Sequence, residues 1–461
     1  RERRAPDRSM ESEAGAEDVS ALSREELIER VVALRRELGA RPAAGPRGPP
    51  PAVKPAVKFV KAVKRKREFD FSKYAERQIA LKISYDGRTY DGLARLDGND
   101  NTVEGQLLVA LEKTCLIRGR LECKLSKAGR TDKGVSSSGN VVAVLVRTNR
   151  PLGTSKGAPD VEEIDYATRL NAVLPSQIRV LRWAPVDERF SARFSAKHRV
   201  YRYFFLKGTL DLELMRQAAS AFVGTHDFRN FCKADVEHVL SFERTLHSFG
   251  VSPVAGHFAQ DAECCADPRL QLCAFTIKGR AFLWHQVRCM VAVLFLVGQG
   301  FESPEVVAKL LDIEAEPCKP QYALASDMPL VLHEIGYEPQ PAWQGEGEAP
   351  QARLVASTLK AYGDAAIHQA FNQTLLGAIT GMMPSEQWWP GSWHHPGGLE
   401  VTSNASLATG RPHRYVPLLQ RARNHPLKLR SPTDATQTVA RGRADACMVV
   451  GLVDDDDAGD E

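Results

Sequence analysis

The stretch Lys127-Ala128-Gly129-Arg130-Thr131-Asp132-Lys133-Gly134-Val135 sets one carboxylate between two cations in a turn bracketed by glycines. An ionised carboxylate at such a turn can act as a nucleophile, and Arg130 and Lys133 are expected to depress its pKa. An Asx turn with a surface ion pair fits the same spacing. Three other stretches carry groups able to converge on Asp132. Tyr201 and Tyr203 share one face of a strand, where they could stack on a base or simply pack in a sheet. Arg288 follows Phe282-Leu283-Trp284-His285-Gln286-Val287 into an apolar helix, where a buried guanidinium needs an acidic or phosphate partner. Asp132 is the natural candidate, and snorkelling to the surface is the alternative. His226-Asp227-Phe228-Arg229-Asn230-Phe231 follows Gly224 and could contact RNA or cap a helix.

These groups need elements to hold them. Leu121, Cys123 and Leu125 alternate with polar residues, and residues 141–146 form an apolar run, so the Asp132 loop is expected to join two strands. Earlier, Ile79, Leu81, Ile83 and Tyr85 alternate as a strand with one buried face. Asn101-Thr102-Val103-Glu104 then reads as a capped helix start burying Leu107, Leu108 and Leu111. A helix through Ala167 and Leu170 and a strand at 178–183 complete residues 72–195. Residues 196–337 repeat the alternation, with strands at 199–205, 244–251 and 270–278 and a helix at 212–223. A helix at 284–297 is apolar on nearly all sides and must be buried, and Ser303-Pro304-Glu305 begins another. Two similar mixed halves imply a pseudo-symmetric sheet with the site in a cleft between them.

The chain of 461 residues is 43% hydrophobic with a formal charge of +4, enough for a sizeable core but too weakly basic to identify a nucleic-acid binder by itself. Nine cysteines without a C-x-x-C pair argue against a zinc site or disulfide scaffold and suggest a reducing compartment. No long apolar run or signal peptide is visible, so no membrane partner is expected. Residues 1–39 hold a short coiled-coil seam at Leu27, Val31, Leu34 and Leu38, and Met10 reads as a natural start preceded by translated upstream sequence. Residues 40–71 form a Pro-rich linker with a basic run through Lys64-Arg65-Lys66-Arg67, which fits a nuclear address or a phosphate-contacting arm. Residues 338–461 are an extension with a helix near 351–376, a His394-His395 pair poorly placed for a metal, and an acidic tail through Asp454–Asp457.

Five ordered segments resemble the motifs of TruA-type tRNA pseudouridine synthases across about residues 78–337: residues 129–135, 190–195, Tyr201-Arg202-Tyr203, residues 224–228, and Phe282-Leu283-x-His285-x-Val287-Arg288. Residues 286–300 and Phe69-Asp70-Phe71-Ser72 are most similar to the eukaryotic branch that acts on uridines 38 and 39 of the tRNA anticodon stem-loop. The resemblance implies an α+β fold of two pseudo-symmetric halves, with a largely antiparallel sheet flanked by helices. It implies that Asp132 attacks a flipped uridine at sugar C1′ or base C6, with no metal or cofactor. Tyr201 would then stack on the base and help remove the C5 proton, and Arg288 would pair with Asp132. Arg130, Lys133, Arg193, Tyr203, His226, Phe228 and His285 are the expected substrate contacts. A homodimer in nucleus and cytoplasm, with tRNA as partner, is expected. Asn140, Ala128, Asp91 and Leu93 depart from the usual pattern at positions that are not catalytic. A tRNA-binding or RNA-folding module with a dead site is the alternative, and a Mg²⁺-dependent aspartyl phosphotransferase lacks an obvious acidic set.

Overall fold

The strand alternation at residues 79–85 belongs to β1 (Tyr74–Tyr85), with Ile79, Leu81, Ile83 and Tyr85 all buried. The computed structural model describes residues 69–95, 98–152, 162–233, 239–254, 270–344, 348–380 and 415–424. The heptad seam at 27–38, the basic run at 64–67, His394-His395 and the acidic tail lie outside the described residues.

Helix α1 (Val103–Lys113) starts where its cap predicts, Thr102 accepting a hydrogen bond from the Gly105 N–H at 3.1 Å. β2 (Ser126–Lys127) is only two residues long. The alternation at Leu121, Cys123 and Leu125 is not a strand, because Lys124 turns the backbone to φ 46° and Leu121 is left 93% exposed. β3 (Ser136–Pro151) pairs antiparallel with β1, and α2 (Tyr166–Asn171) leads into β4 (Ile178–Pro185) on the other edge of β1. β5 (Ala196–Leu206), α3 (Leu212–Ser220), β6 (Gly224–Asp227), β7 (Glu243–Pro253) and β8 (Leu272–Gly279) follow. Next come α4 (Gln286–Gly298), α5 (Val306–Leu311) and β9 (Leu330–Tyr337), then the long helix α6 (Glu348–Thr380).

The described strands form one sheet in the order β4-β1-β3-β9-β5-β8-β7-β6, with β2 also on β3. Its pairings are antiparallel except β3 with β9, which run parallel at Ser136↔Val331 and Ser137↔Leu332. The expected antiparallel, helix-flanked α+β sheet is therefore present, and the parallel seam joins its β1–β4 part to its β5–β9 part.

Helices back the sheet through two cores. One gathers Ile79, Leu81, Val142 and Val144 with Leu107, Leu111 and Tyr166. The other gathers Tyr203, Phe205 and Phe275 with Phe222, Met290 and Leu294. α4 is buried as its all-round apolarity requires: Met290, Val291, Val293, Leu294 and Val297 are fully covered, each stabilising the fold by roughly 1.5–3 kcal/mol. Among the described residues no helix is long and apolar enough to cross a membrane.

Candidate active site

Asp132 lies just before β3 reaches its parallel seam with β9, and its loop is fastened through backbone carbonyls. Arg199 on β5 donates from Nε and Nη2 to Ala128 O (3.3 and 3.0 Å), from Nη2 to Arg193 O (2.8 Å) and from Nη1 to Arg280 O (2.6 Å). One guanidinium thus ties the Asp132 loop to two neighbouring turns. Asn140, fully buried, donates to Gly129 O at 2.9 Å and to the Tyr85 hydroxyl at 3.2 Å, and Tyr85 shares a 2.8 Å hydrogen bond with Thr131 Oγ1. The Leu93 N–H reaches Thr131 O at 3.0 Å. Asn140 and Leu93, off-pattern in the sequence, therefore hold the loop. Tyr85→Phe, which deletes the buried hydroxyl link to Thr131, is expected to cost about 1–2 kcal/mol of stability and to slow the chemical step several-fold with tRNA affinity unchanged. Denaturant melts and single-turnover rates check this.

The carboxylate itself is about one-third exposed. Trp284 Nε1 donates to its Oδ1 at 3.2 Å, and His285 Nε2 stands 3.4 Å from Oδ2. His285 sits at the start of α4 with φ 59°, a left-handed conformation costly for a side chain with a Cβ, and this turns the ring toward Asp132. Burial, assisted by Arg288, Lys233 and Lys319, pushes His285 down to about 4, so the ring is neutral at neutral pH. With Nε2 facing a carboxylate, the proton belongs on Nε2.

The seam register brings a second carboxylate alongside. Asp132 precedes Ser136 by four residues and Asp327 precedes Val331 by four, and Ser136 and Val331 are partners in parallel strands. The Asp327 carboxyl lies against Gly134, where an added Cβ would meet its Oδ1 at 3.0 Å and where φ is +81°. Arg288 Nε donates to Ala325 O at 2.7 Å and Nη1 is 3.9 Å from Asp327 Oδ2.

Two expectations are corrected here. Arg288 makes no direct ion pair with Asp132; its guanidinium is turned to Ala325 O and Asp327. Nor is the Asp132 pKa depressed. Burial raises it, against the lowering effects of Arg288, the Trp284 hydrogen bond and Lys233, and Asp327 adds to the rise. Lys133 is spent elsewhere, 2.8 Å from Asp91, whose carboxyl it holds well below the usual range together with Asn99 and Asn101. The nucleophile role expected of Asp132 predicts an acid limb in the rate–pH profile with its midpoint above the ordinary 3.8. Single-turnover rates measured from pH 4 upward on pre-bound substrate check this, and the rate is expected to rise with pH through that midpoint.

The other sequence-named residues divide. Tyr201, half-buried, packs edge-on against Phe282 at 5.0 Å and senses the Asp132 charge; burial pushes its phenol up, so the ring carries its proton. That state suits stacking and weighs against a ready proton acceptor. Arg130 is exposed on the Asp132 loop, and Arg193 lies over the exposed Phe194 ring at 5.2 Å. Tyr203 and Phe228 are 0% exposed and belong to the core, so neither presents a surface to RNA. His226 is on β6 at the sheet edge, its Nε2 3.1 Å from Val223 O. Trp284 was not among the residues singled out from sequence, since it occupies the variable position inside Phe282-Leu283-x-His285.

A seam-centred antiparallel sheet with one half-buried carboxylate among cations and aromatic rings defines the class of the site. A family model described as tRNA pseudouridine synthase matches residues 218–338. The chain is 47% identical over 284 residues to the tRNA pseudouridine(38/39) synthase of Bos taurus, covering 60% of this chain and 58% of that protein. It is 46% identical over 291 residues to the human protein of the same name, covering 60% and 59%. Against a probable tRNA pseudouridine synthase of Caenorhabditis elegans it is 35% identical over 335 residues, covering 69% of this chain and 82% of that protein. The chain belongs to the tRNA pseudouridine synthase family. It spans less than two thirds of the length of its mammalian relatives.

Proposed function

We propose that the protein is an isomerase that converts uridine to pseudouridine in the anticodon stem-loop of tRNA, at positions 38 and 39, as the names of its mammalian relatives suggest. The observation that carries this reading is Asp132: one carboxylate in a loop pinned at Ala128, Gly129 and Thr131, held against its own desolvation among Arg288, Lys233 and Trp284. A purely RNA-binding module gains nothing from such a group, because a desolvated carboxylate repels phosphate.

In the proposed reaction the Asp132 carboxylate attacks the flipped uridine at sugar C1′ or base C6. The C1′–N1 bond breaks and the uracil rotates; C5 then bonds to C1′ as the bond to Asp132 breaks and its carboxylate is regenerated, the C5 proton passes to solvent, and N1 takes one up. Tyr201 stacks on the base, Arg288 supplies positive potential beside Asp132, and exposed Arg130 supports the displaced nucleotide. Flipping costs a few kcal/mol of stacking, which ring and phosphate contacts offset. A homodimer and residence in nucleus and cytoplasm remain part of the proposal, supported by the family resemblance and by the basic run at 64–67. The test is release of tritium from C5 of labelled uridine in unmodified tRNA incubated with purified protein. Stoichiometric release supports the reading, and binding without release overturns it.

A further inference from the structure

We infer that Trp284 is a positioning residue for the Asp132 carboxylate, its indole N–H fixing Oδ1 so that Oδ2 is the oxygen left to attack. This rests on the proposed reaction. The ring is 43% exposed, so burial alone does not hold it. Polar contacts do. Nε1 donates to Asp132 Oδ1 at 3.2 Å, the Lys233 ammonium stands 4.1 Å above the ring centroid, and the Lys233 N–H binds Trp284 O at 2.9 Å. A cation over an indole face is attracted by the ring's electrons and draws them away from the N–H, strengthening it as a donor.

The groups facing Asp132 are Arg288 on α4, Asp327 before β9, Lys233, His285 at the start of α4 and Tyr201 on β5. Each of these is charged or can titrate. Trp284 can do neither, and its 3.2 Å contact is shorter than the 3.4 Å approach of His285 to Oδ2. It therefore holds one oxygen in the same place at every working pH, while Oδ2 keeps only the longer contact. Phe282 and Leu283, which precede it, pack in or against the core, and Gln286 Oε1 accepts from the Leu283 N–H at 2.8 Å, so the backbone presenting the indole is itself fixed.

Trp284→Phe keeps an aromatic ring at the position and removes the N–H donor along with one of the two fused rings. In full-length protein the single-turnover rate on tRNA is expected to fall about tenfold on the acid limb, the value of one hydrogen bond to a charged group. The acid limb should move up by about one pH unit, and tRNA affinity should stay within about twofold of wild type. A merely structural role for the ring would lower affinity or thermal stability and leave the limb in place. In parallel, the ¹⁵N-indole resonance of Trp284 should shift with pH in wild type and become pH-independent in Asp132→Asn. That measurement needs neither turnover nor a folded Trp284→Phe protein. A Trp284→Phe profile superimposable on wild type, or an indole signal indifferent to Asp132→Asn, overturns the inference. Wild-type protein that turns over no tRNA while its indole still titrates would remove the proposed reaction and leave the contact standing.

Discussion

Asp132→Asn is expected to lower the single-turnover rate of the proposed pseudouridine formation by about 10⁴-fold or more, with tRNA affinity changed by less than about threefold. The magnitude follows from the proposed role of Asp132 as a covalent nucleophile rather than a supporting contact. An amide preserves the shape and can still accept from Trp284, so the loop pinned by Arg199, Asn140 and Tyr85 is undisturbed. The variant should also be slightly more stable than wild type at neutral pH. Because burial raises the folded-state pKa of Asp132 above 3.8, ionisation costs stability. The cost is absent below the unfolded pKa and sets in as pH rises through the folded one. Removing the charge relieves it, and a melting temperature no lower than that of the wild type is expected. Loss of activity accompanied by a lower melting temperature would point to misfolding instead.

Arg288→Ala is expected to lose activity by about 10²- to 10³-fold at neutral pH, with partial recovery as pH rises. Arg288 is the largest influence holding the Asp132 pKa down, and without it Asp327 is left repelling Asp132 across the seam. The acid limb therefore shifts upward, which an activity loss caused by altered RNA contacts would not produce. Arg288→Lys restores charge without the fork that binds Ala325 O and faces Asp327, and should fall between the two. Rate–pH profiles of all three proteins on pre-bound tRNA decide the matter. A limb unchanged in Arg288→Ala removes the electrostatic role assigned here.

The Asp132 loop is legible because glycines, charges and flanking apolar runs occur together at residues 127–146 and because the motif order is specific. The helices were legible for local reasons: Thr102 capping α1, and the unbroken apolarity of α4. What escaped depends on contacts distant in sequence. β9 was missed because Leu330–Tyr337 follows an irregular stretch and, as a central strand beside β3 and β5, lacks a clean two-residue alternation. Without β9 nothing in the sequence sets Asp327 beside Asp132, so the sequence does not show that Arg288 acts on Asp132 through its field and reaches toward Asp327 instead of contacting Asp132. Lys133 was misjudged for a related reason. Neighbours in an extended loop point in different directions, and its partner Asp91 lies forty-two residues earlier. Tyr203 and Phe228 read as RNA contacts because aromatic residues near a motif look alike in sequence whether they face solvent or core. Burial decided against both.

The positions at which new pseudouridines arise test the proposed reaction most directly. Unmodified tRNA incubated with purified wild-type protein, then mapped nucleotide by nucleotide, should gain pseudouridine at positions 38 and 39 of the anticodon stem-loop, the positions in the names of the mammalian relatives, and the same tRNA with Asp132→Asn should gain none. Pseudouridine formed equally by both proteins, or by neither despite tight binding, would contradict it.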